Sequence, residues 1–314
     1  MELIDRVAHR LKLRDLRLLD AVVRSRSMAK AATELNISQP AVSKAISELE
    51  ILLGVRLVDR SRQGIVPTEY GQALLECGVA VLDDLRQGVK KIEFLADPTA
   101  GEVRIGCHPF IAPSFVTAVV DRVSQRHSRI AFHLVIAEVN ALHHELRERN
   151  VDLLITRRWG PLTDERLEFE FLFDESFVVV AGAQNPWARR RKIALAELMN
   201  ESWVLPHPET GFGLAAMEAF RSSGLEYPRT TVVALPQEVR ISLLATGHFL
   251  TIFPASVLKA STKRSELKVL PVELPMAPVA NGIVTLKGRA VSPVAQLFID
   301  SARKLAKPLA KKRP

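Results

Sequence analysis

The stretch at residues 36–54, NISQPAVSKAISELEILLG, constrains this chain more than any other. Val42, Ile46, Leu49 and Leu53 recur at the i, i+4, i+7, i+11 spacing of one buried helix face. Gln39, Ser43 and Ser47 fall on another face, with Pro40 and Lys44 one position round. That face is small, polar and rounded off by a cation. Ser38 is suited to cap the helix N-terminus, and Pro40 sits in the first turn, where its missing N–H costs nothing. Upstream, residues 28–35 (MAKAATEL) predict a shorter helix with a packing face at Ala31 and Ala32 and an anchor at Leu35. Two helices joined by a few residues around 36–38 form a helix-turn-helix, whose second helix enters the DNA major groove. An ordinary helical hairpin with a soluble outer face would show the same spacing.

The residues just downstream favour the helix-turn-helix. Residues 55–59 and 64–67 read as two short strands around a basic turn, Arg60-Ser61-Arg62-Gln63-Gly64. A hairpin carrying arginines beside a helix-turn-helix is a wing, placed to touch phosphate or the minor groove; alone, it would be a solvated surface hairpin. Residues 16–71 resemble the winged helix-turn-helix of LysR-type transcriptional regulators. The resemblance is carried by Ala31-Ala32, Leu35, the run Ser38-Gln39-Pro40-Ala41-Val42-Ser43, Ile46, Leu49-Glu50, Leu53-Gly54, Leu57, Arg60, Pro67-Thr68 and Gly71. It implies DNA contacts from Ser38, Gln39, Pro40, Ser43 and Lys44 on the helix, and from Arg60, Arg62 and Thr68 around the wing.

Thr68 is also a plausible N-cap for a proline-free pattern over residues 69–96. Leu74, Cys77, Val81, Leu85, Val89 and Ile92 recur every three or four residues, flanked by Asp83, Asp84, Arg86, Lys90, Lys91 and Glu93. So long a helix with one apolar stripe has little to bury against in its own small domain. It should pair with a second copy; packing on the C-terminal half is the alternative. By the resemblance this is the linker helix that joins two chains, within an assembly that is usually a tetramer. Asp97-Pro98-Thr99-Ala100-Gly101 ends it and links the domains.

From Glu102 the texture changes. Strands at 103–107, 130–137 and 151–156 alternate with helices at 116–126 and 141–150, an order that implies parallel pairing and right-handed crossovers. Further strand material lies at 169–181, 203–205, 231–234, 249–253 and 283–286. Further helices lie at 196–199, 212–222, 236–246 and 292–304, the last opened by Ser292 and Pro293. Residues 1–12 read as a loose charged leader and 307–314 as a disordered basic tail. This half resembles the LysR effector-binding domain, a periplasmic-binding-protein-like fold with a ligand cleft between two lobes. The expected fold class is therefore α+β multidomain: a winged helix-turn-helix at 13–71, a linker helix at 69–97 and a two-lobed α/β effector domain at 98–306. Lobe one is expected at about 102–166 plus 270–304, and lobe two at about 167–269.

Ligands of open α/β sheets bind beyond the carboxyl ends of strands, near helix N-termini. That rule selects Cys107, His108, Pro109 and Phe110 after the first strand, and Val139 and Asn140 after the second. It also selects His207, Glu209, Thr210, Gly211 and Phe212 after residues 203–205, and Gln237 at the opening of the helix at 236–246. The first three groups match the family's effector-contacting loops. Cys107, His108 and Val139 stand where those loops often carry Ser or Thr. Helix-start N–H groups favour an organic or sugar acid, whereas Glu209 suits the hydroxyls of a neutral sugar. His143 and His144 are adjacent, diverge on a helix and make a poor metal pair, so they are expected on a surface. Arg189-Arg190-Arg191-Lys192 reads as a solvated face.

Composition bounds the function classes. The chain has 314 residues and a net charge of +8, with a sequence pI near 9.7, which suits an anionic partner without naming it. MELIDRVAHR has no apolar core region, so no secretory signal is expected, and no apolar run approaches a membrane span. The 2 cysteines, Cys77 and Cys107, fall on different elements, which excludes a disulfide framework and fits a reducing compartment. Some LysR-type regulators sense oxidants through a cysteine pair in the effector region; here that region holds Cys107 alone. No phosphate loop, Gly-x-Ser-x-Gly elbow or His-Glu-x-x-His motif appears. A stand-alone solute-binding protein would account for the second half only, and an enzyme would need a catalytic set that cannot be assembled. The resemblance therefore implies a cytoplasmic, non-enzymatic regulator without a cofactor. Its partners would be double-stranded promoter DNA, a small-molecule effector, itself as a homodimer or homotetramer, and RNA polymerase.

Overall fold

In the computed structural model, which describes residues 3–62, 64–234, 236–260 and 264–310, the chain divides into two compact units, Met1–Lys90 and Lys91–Pro314. Each is built by its own pattern of burial.

The first unit holds helices α1 (Leu3–Arg10), α2 (Leu13–Ser25), α3 (Met28–Glu34) and α4 (Gln39–Leu53), then strands β1 (Val58–Ser61) and β2 (Gly64–Pro67). Leu19, Val22, Ala31, Ala32, Val42, Ile46, Leu49 and Leu57 share one core. The small side chains of Ala31 and Ala32 are buried at the centre of this core, letting α3 lie close to both neighbours. Leu52 is buried where Leu53 was expected, and Leu53 is half-buried. Residues 3–10 are a helix rather than a loose leader: Asp5 in its first turn and His9 and Arg10 in its last suit the helix dipole, and Leu11 packs on the core. The first wing strand starts at Val58, later than expected. The Glu50 carboxylate on α4 accepts the Leu57 N–H at 2.8 Å and the Val58 N–H at 3.4 Å, holding the chain before β1 to the helix. Register Ser61↔Gly64 then puts Arg60 on β1 and Arg62 in the turn, while Gln63 lies outside the described residues.

Helix α5 (Glu69–Ala96) begins in the first unit and ends in the second. Its start is fixed by Thr68, whose hydroxyl accepts the Gly71 N–H at 3.1 Å and donates to the Arg56 carbonyl at 2.7 Å. Gly71 is a steric requirement: a Cβ there would lie 1.9 Å from the Leu57 carbonyl oxygen.

The second unit contains β3 (Ala100–Cys107), α6 (Thr117–Ser124), β4 (Arg129–Ile136), α7 (Val139–Arg147), β5 (Leu153–Arg158), β6 (Leu167–Glu175), β7 (Phe177–Gly182), β8 (Ser202–Leu205), α8 (Gly211–Ser222), β9 (Thr230–Val233), α9 (Gln237–Ala245), β10 (Phe249–Pro254), α10 (Ala255–Ala260), β11 (Leu267–Val269), β12 (Val279–Leu286) and α11 (Pro293–Ala310). One sheet has the order β4-β3-β5-β12-β6, the other β11-β7-β10-β8-β9. Strand β3 runs parallel to β4 and β5, as the alternation of strand and helix implies, and β12 pairs antiparallel with β5 and β6. A π-helical turn over Ala112–Val116 precedes α6 and holds Pro113 near its start, where the ring breaks no helix hydrogen bond.

The ends of the lobes and of the last helix also bear on expectation. Strand β6 belongs to the first sheet, because its whole length is in register with β12, so the chain changes sheet at Ser176 rather than at residue 167. The return falls between β11 and β12, and Val279 still packs in the core of the second lobe. Helix α11 continues to Ala310 through Lys307 and Pro308 instead of dissolving into a tail; Lys311–Pro314 lie outside the described residues. No helix among the described residues is long and apolar enough to cross a membrane.

Candidate functional site

Two sites emerge, one in each unit. In the first, the Ser38 hydroxyl accepts the Ala41 N–H at 3.4 Å and starts α4 one residue before Gln39. The first two turns thereby project Gln39, Pro40, Ser43 and Lys44, all exposed. Lys44 Nζ reaches Glu48 at 3.8 Å, a loose contact between exposed side chains that leaves the cation available. Arg60 and Arg62 are exposed on the hairpin. Thr68 differs from these: it is half-buried, and its hydroxyl caps α5 while donating to the Arg56 carbonyl.

In the second unit, a cavity of about 500 Å³ opens between the carboxyl end of the first sheet and the N-terminus of α8. His108, Phe110, Val139, Asn140, Glu209, Thr210, Gly211 and Phe212 line it, as expected. Val139 and Asn140 sit in the first turn of α7 rather than in a loop before it. Among the residues lining this cavity, Cys107, Pro109, His207 and Gln237 do not appear. Cys107 alternates with His108 along the strand and points into the core, where burial pushes its thiol up to about 11. Pro109 is half-buried, His207 is exposed, and Gln237 is buried at the first position of α9. Thr210 lines the cavity, but its hydroxyl is committed to capping α8: it accepts the Gly213 N–H at 3.0 Å and donates to the His207 carbonyl at 2.8 Å.

The residues that sequence reasoning passed over sit at the floor and rim. Arg157 is 2% exposed, at the end of β5. Its guanidinium lies 5.2 Å from the Phe110 ring centroid and 5.9 Å from that of Phe177. Among the described residues nothing accepts a hydrogen bond from its Nε or Nη1. Burial lowers its pKa to about 10, against the pull of Glu175 and Glu138, so it remains a cation at neutral pH. Thr156 is also buried, and its hydroxyl has no partner among the described residues. His108 accepts the Phe110 N–H on Nδ1 at 3.3 Å and faces Glu138 across 3.4 Å with Nε2. That network assigns the neutral tautomer with the proton on Nε2. Burial holds the imidazole below its ordinary 6.5, opposed by Glu138 and helped by Arg157. His143, expected on a free surface, is half-buried and lines the cavity, while His144 is exposed. The signal for Arg157 was a pair of arginines closing an apolar strand, LLITRR, at the carboxyl edge where ligands gather. The basic run 189–192 is exposed as expected, with Arg190 over the Trp187 ring at 5.7 Å.

Comparison with known proteins bears on both sites. Residues 13–72 match the family model described as bacterial regulatory helix-turn-helix protein, lysR family, and residues 96–307 match the LysR substrate binding domain. The RuBisCO operon transcriptional regulator of Allochromatium vinosum is 30% identical over 287 residues, covering 91% of this chain and 93% of its own. The HTH-type transcriptional regulator GbpR of Azospirillum brasilense is 25% identical over 296 residues, covering 94% of this chain and 86% of its own. Among solved structures, a full-length OxyR variant from Pseudomonas aeruginosa superposes with a TM-score of 0.69 at 21% identity, covering 98% of this chain and 100% of that one. Full-length CbnR complexed with its target DNA gives a TM-score of 0.56 at 21% identity, covering 94% and 100%. The effector binding domain of QuiR in complex with shikimate gives 0.56 at 19% identity, covering 67% and 98%. At these identities the solved structures speak for the fold.

Proposed function

The chain belongs to the LysR family of bacterial transcriptional regulators, which are not enzymes, and from that premise we propose that it binds promoter DNA through α4 and the wing under the control of a small polar metabolite held between its two lobes. The observation that carries this reading is the exposed polar turn Gln39, Pro40, Ser43 and Lys44, fixed by the Ser38 cap at the start of the second helix of a helix-turn-helix. Side chains at that position meet base edges when the helix lies in the major groove. The Gln39 amide both donates and accepts, as pairing with an adenine edge requires, and Ser43 suits either kind of edge group. Lys44, Arg60 and Arg62 neutralise phosphate and set the register. The metabolite acts by binding one arrangement of the lobes better than another, which then changes how the paired DNA-binding units meet the promoter and present it to RNA polymerase. Pairing itself runs along α5. The same fold occurs in CbnR complexed with its target DNA and in the effector binding domain of QuiR complexed with shikimate.

The test is selection of binding sites from random double-stranded DNA by the full-length protein. One enriched motif is expected, and the gel shift on it should weaken steeply with salt. In a Gln39→Ala/Ser43→Ala/Lys44→Ala variant that still folds, sequence preference should disappear. Retained affinity for the selected motif would remove α4 from the DNA interface.

A further inference from the structure

Resting on the effector reading above, we propose that the cavity takes a singly charged carboxylate with a flat apolar body, its carboxylate seated against Arg157. A guanidinium taken out of water needs acceptors, and a buried cation left without them is strongly unfavourable. Arg157 has none on Nε or Nη1 among the described residues. Neither of the two carboxylates whose charge acts on it accepts a hydrogen bond from it: Glu175 accepts the Ser256 N–H at 3.2 Å, and Glu138 faces His108 across 3.4 Å with its Oε1 making no hydrogen bond among the described residues. An acceptor from outside the chain completes the site, and the cavity is where it enters.

Charge matching sets the ligand at one negative charge. Asp164, at the rim, is held by Arg166 at 3.1 Å and Arg147 at 3.4 Å. Arg158 is exposed and lies over the Phe169 ring at 4.6 Å. Burial keeps His108 and His143 on the neutral side. Among the described lining residues, Arg157 is the buried positive charge left unmet. The Thr156 hydroxyl, buried and without a partner, adds a donor at the same cavity. Among the described residues no side chain caps α7, whose N-cap residue is Glu138, so the N–H groups of its first turn at Val139 and Asn140 remain available to an acceptor beside that carboxylate.

The walls set the body of the ligand. Phe110 and Phe212 have ring centroids 6.1 Å apart, and Trp159 lies 6.3 Å from Phe212. The indole lies on Gly211, where a Cβ would come within 2.8 Å of it. Aromatic faces on both lobes around one buried cation suit a flat, compact acid better than a polyhydroxylated chain or a free phosphate.

The experiment is a thermal melt of the full-length protein in sodium benzoate, benzamide, sodium phosphate or sodium chloride at matched ionic strength. Benzoate carries one charge on a flat ring, and benzamide is its neutral isostere. Benzoate alone should raise the midpoint by a few degrees, increasing with concentration. In Arg157→Gln that shift should vanish. Thr156→Val, which removes only the unpaired hydroxyl, should shrink it, and this variant decides the matter if Arg157→Gln does not fold. Equal shifts with benzamide, an equal Arg157-dependent shift with phosphate, persistence of the benzoate shift in the variants, or no benzoate shift would each overturn the carboxylate. A metabolite library run beside these salts separates the two readings. A neutral metabolite whose stabilisation is lost in Trp159→Leu would keep the effector cavity and refute its anionic ligand. Benzoate stabilisation without any metabolite effect on DNA binding would refute the effector reading and keep the anion site.

Discussion

His108 is held neutral by its surroundings, and that has a measurable sign. Burial lowers the imidazole below its ordinary 6.5; Glu138 opposes the shift and Arg157 assists it. His143 is displaced in the same direction by burial and by Arg147. On acidification the unfolded chain therefore takes up protons first, and stability must fall as pH drops through 6.5 toward the lower folded values. Urea melts of the full chain at about pH 7.5 and about pH 5.5 should show the C-terminal transition at lower urea in acid. His108→Gln should reduce the difference; an unchanged difference would place the effect elsewhere. The wing arginines act differently, because they are exposed and make their contribution only on DNA. Arg62→Ala should weaken binding to every sequence alike and lower the slope of log affinity against log salt by about one. Residue-scale legibility was uneven for a simple reason. Alternation along β3 and in the turn after it separates Cys107, in the core, from His108 and Phe110, at the cavity, and a reading by loop groups all three. Thr68 and Thr210 each donate to a backbone carbonyl and accept one backbone N–H, which leaves an acceptor lone pair but no donor for a ligand and which only the folded geometry reveals.

At the scale of elements, α5 makes two demands. Its first turn lies against the chain entering the wing, so Gly71→Ala drives a Cβ into the Leu57 carbonyl. Overpacking of that kind costs about 1–3 kcal/mol, and the melting midpoint of the DNA-binding unit should drop accordingly. Farther along, Val81, Leu85, Val89, Ile92 and Leu95 are each at least 40% exposed in the single chain, a contiguous apolar stripe with nothing among the described residues over it. Leu85→Asp should therefore leave the melting of the single chain almost unchanged. It should also abolish pairing, because a buried unpaired charge in the seam costs several kcal/mol. Sedimentation at fixed concentration reads the result, and an unaltered mass would mean that another surface pairs the chains. The extent of α5 was legible because 28 residues without proline repeat one stripe between a Thr cap and Asp97-Pro98. The helix-turn-helix was legible for the same kind of reason: cap, periodicity and a closing Gly54 agree. Strand β6 was not, since LEFEFLFDE alternates well enough for either sheet and only pairing with β12 decides. Helix α1 was missed because eight residues are too few to be helical alone, although apolar residues recur at helical spacing in LIDRVAHR, and packing beyond the local sequence makes up the difference.

Across the whole molecule, the two sites are joined by α5, which contributes to the core of each unit: Leu74 and Leu75 pack in the first and Phe94 in the second. Within the second unit, Phe110 arises from the first lobe, packs in a core of the second with Val180 and Phe253, and has two buried guanidiniums over its ring, Arg157 at 5.2 Å and Arg240 at 5.5 Å. An anion on Arg157, as proposed, would change the charge over that ring and so the relative stability of lobe arrangements. If such a ligand alters DNA affinity, thermodynamic linkage requires DNA to alter ligand affinity by the same factor, commonly 5–150-fold, about 1–3 kcal/mol. Titration of the bound metabolite with and without the selected operator should give that factor, matching the one from gel shifts with and without metabolite. Coupling that depends on paired chains must then fail in Leu85→Asp: the metabolite should still bind, with the same affinity whether or not operator is present. A coupling factor that survives loss of pairing would show that one chain suffices to carry the signal, and would rule out the assembly as its route.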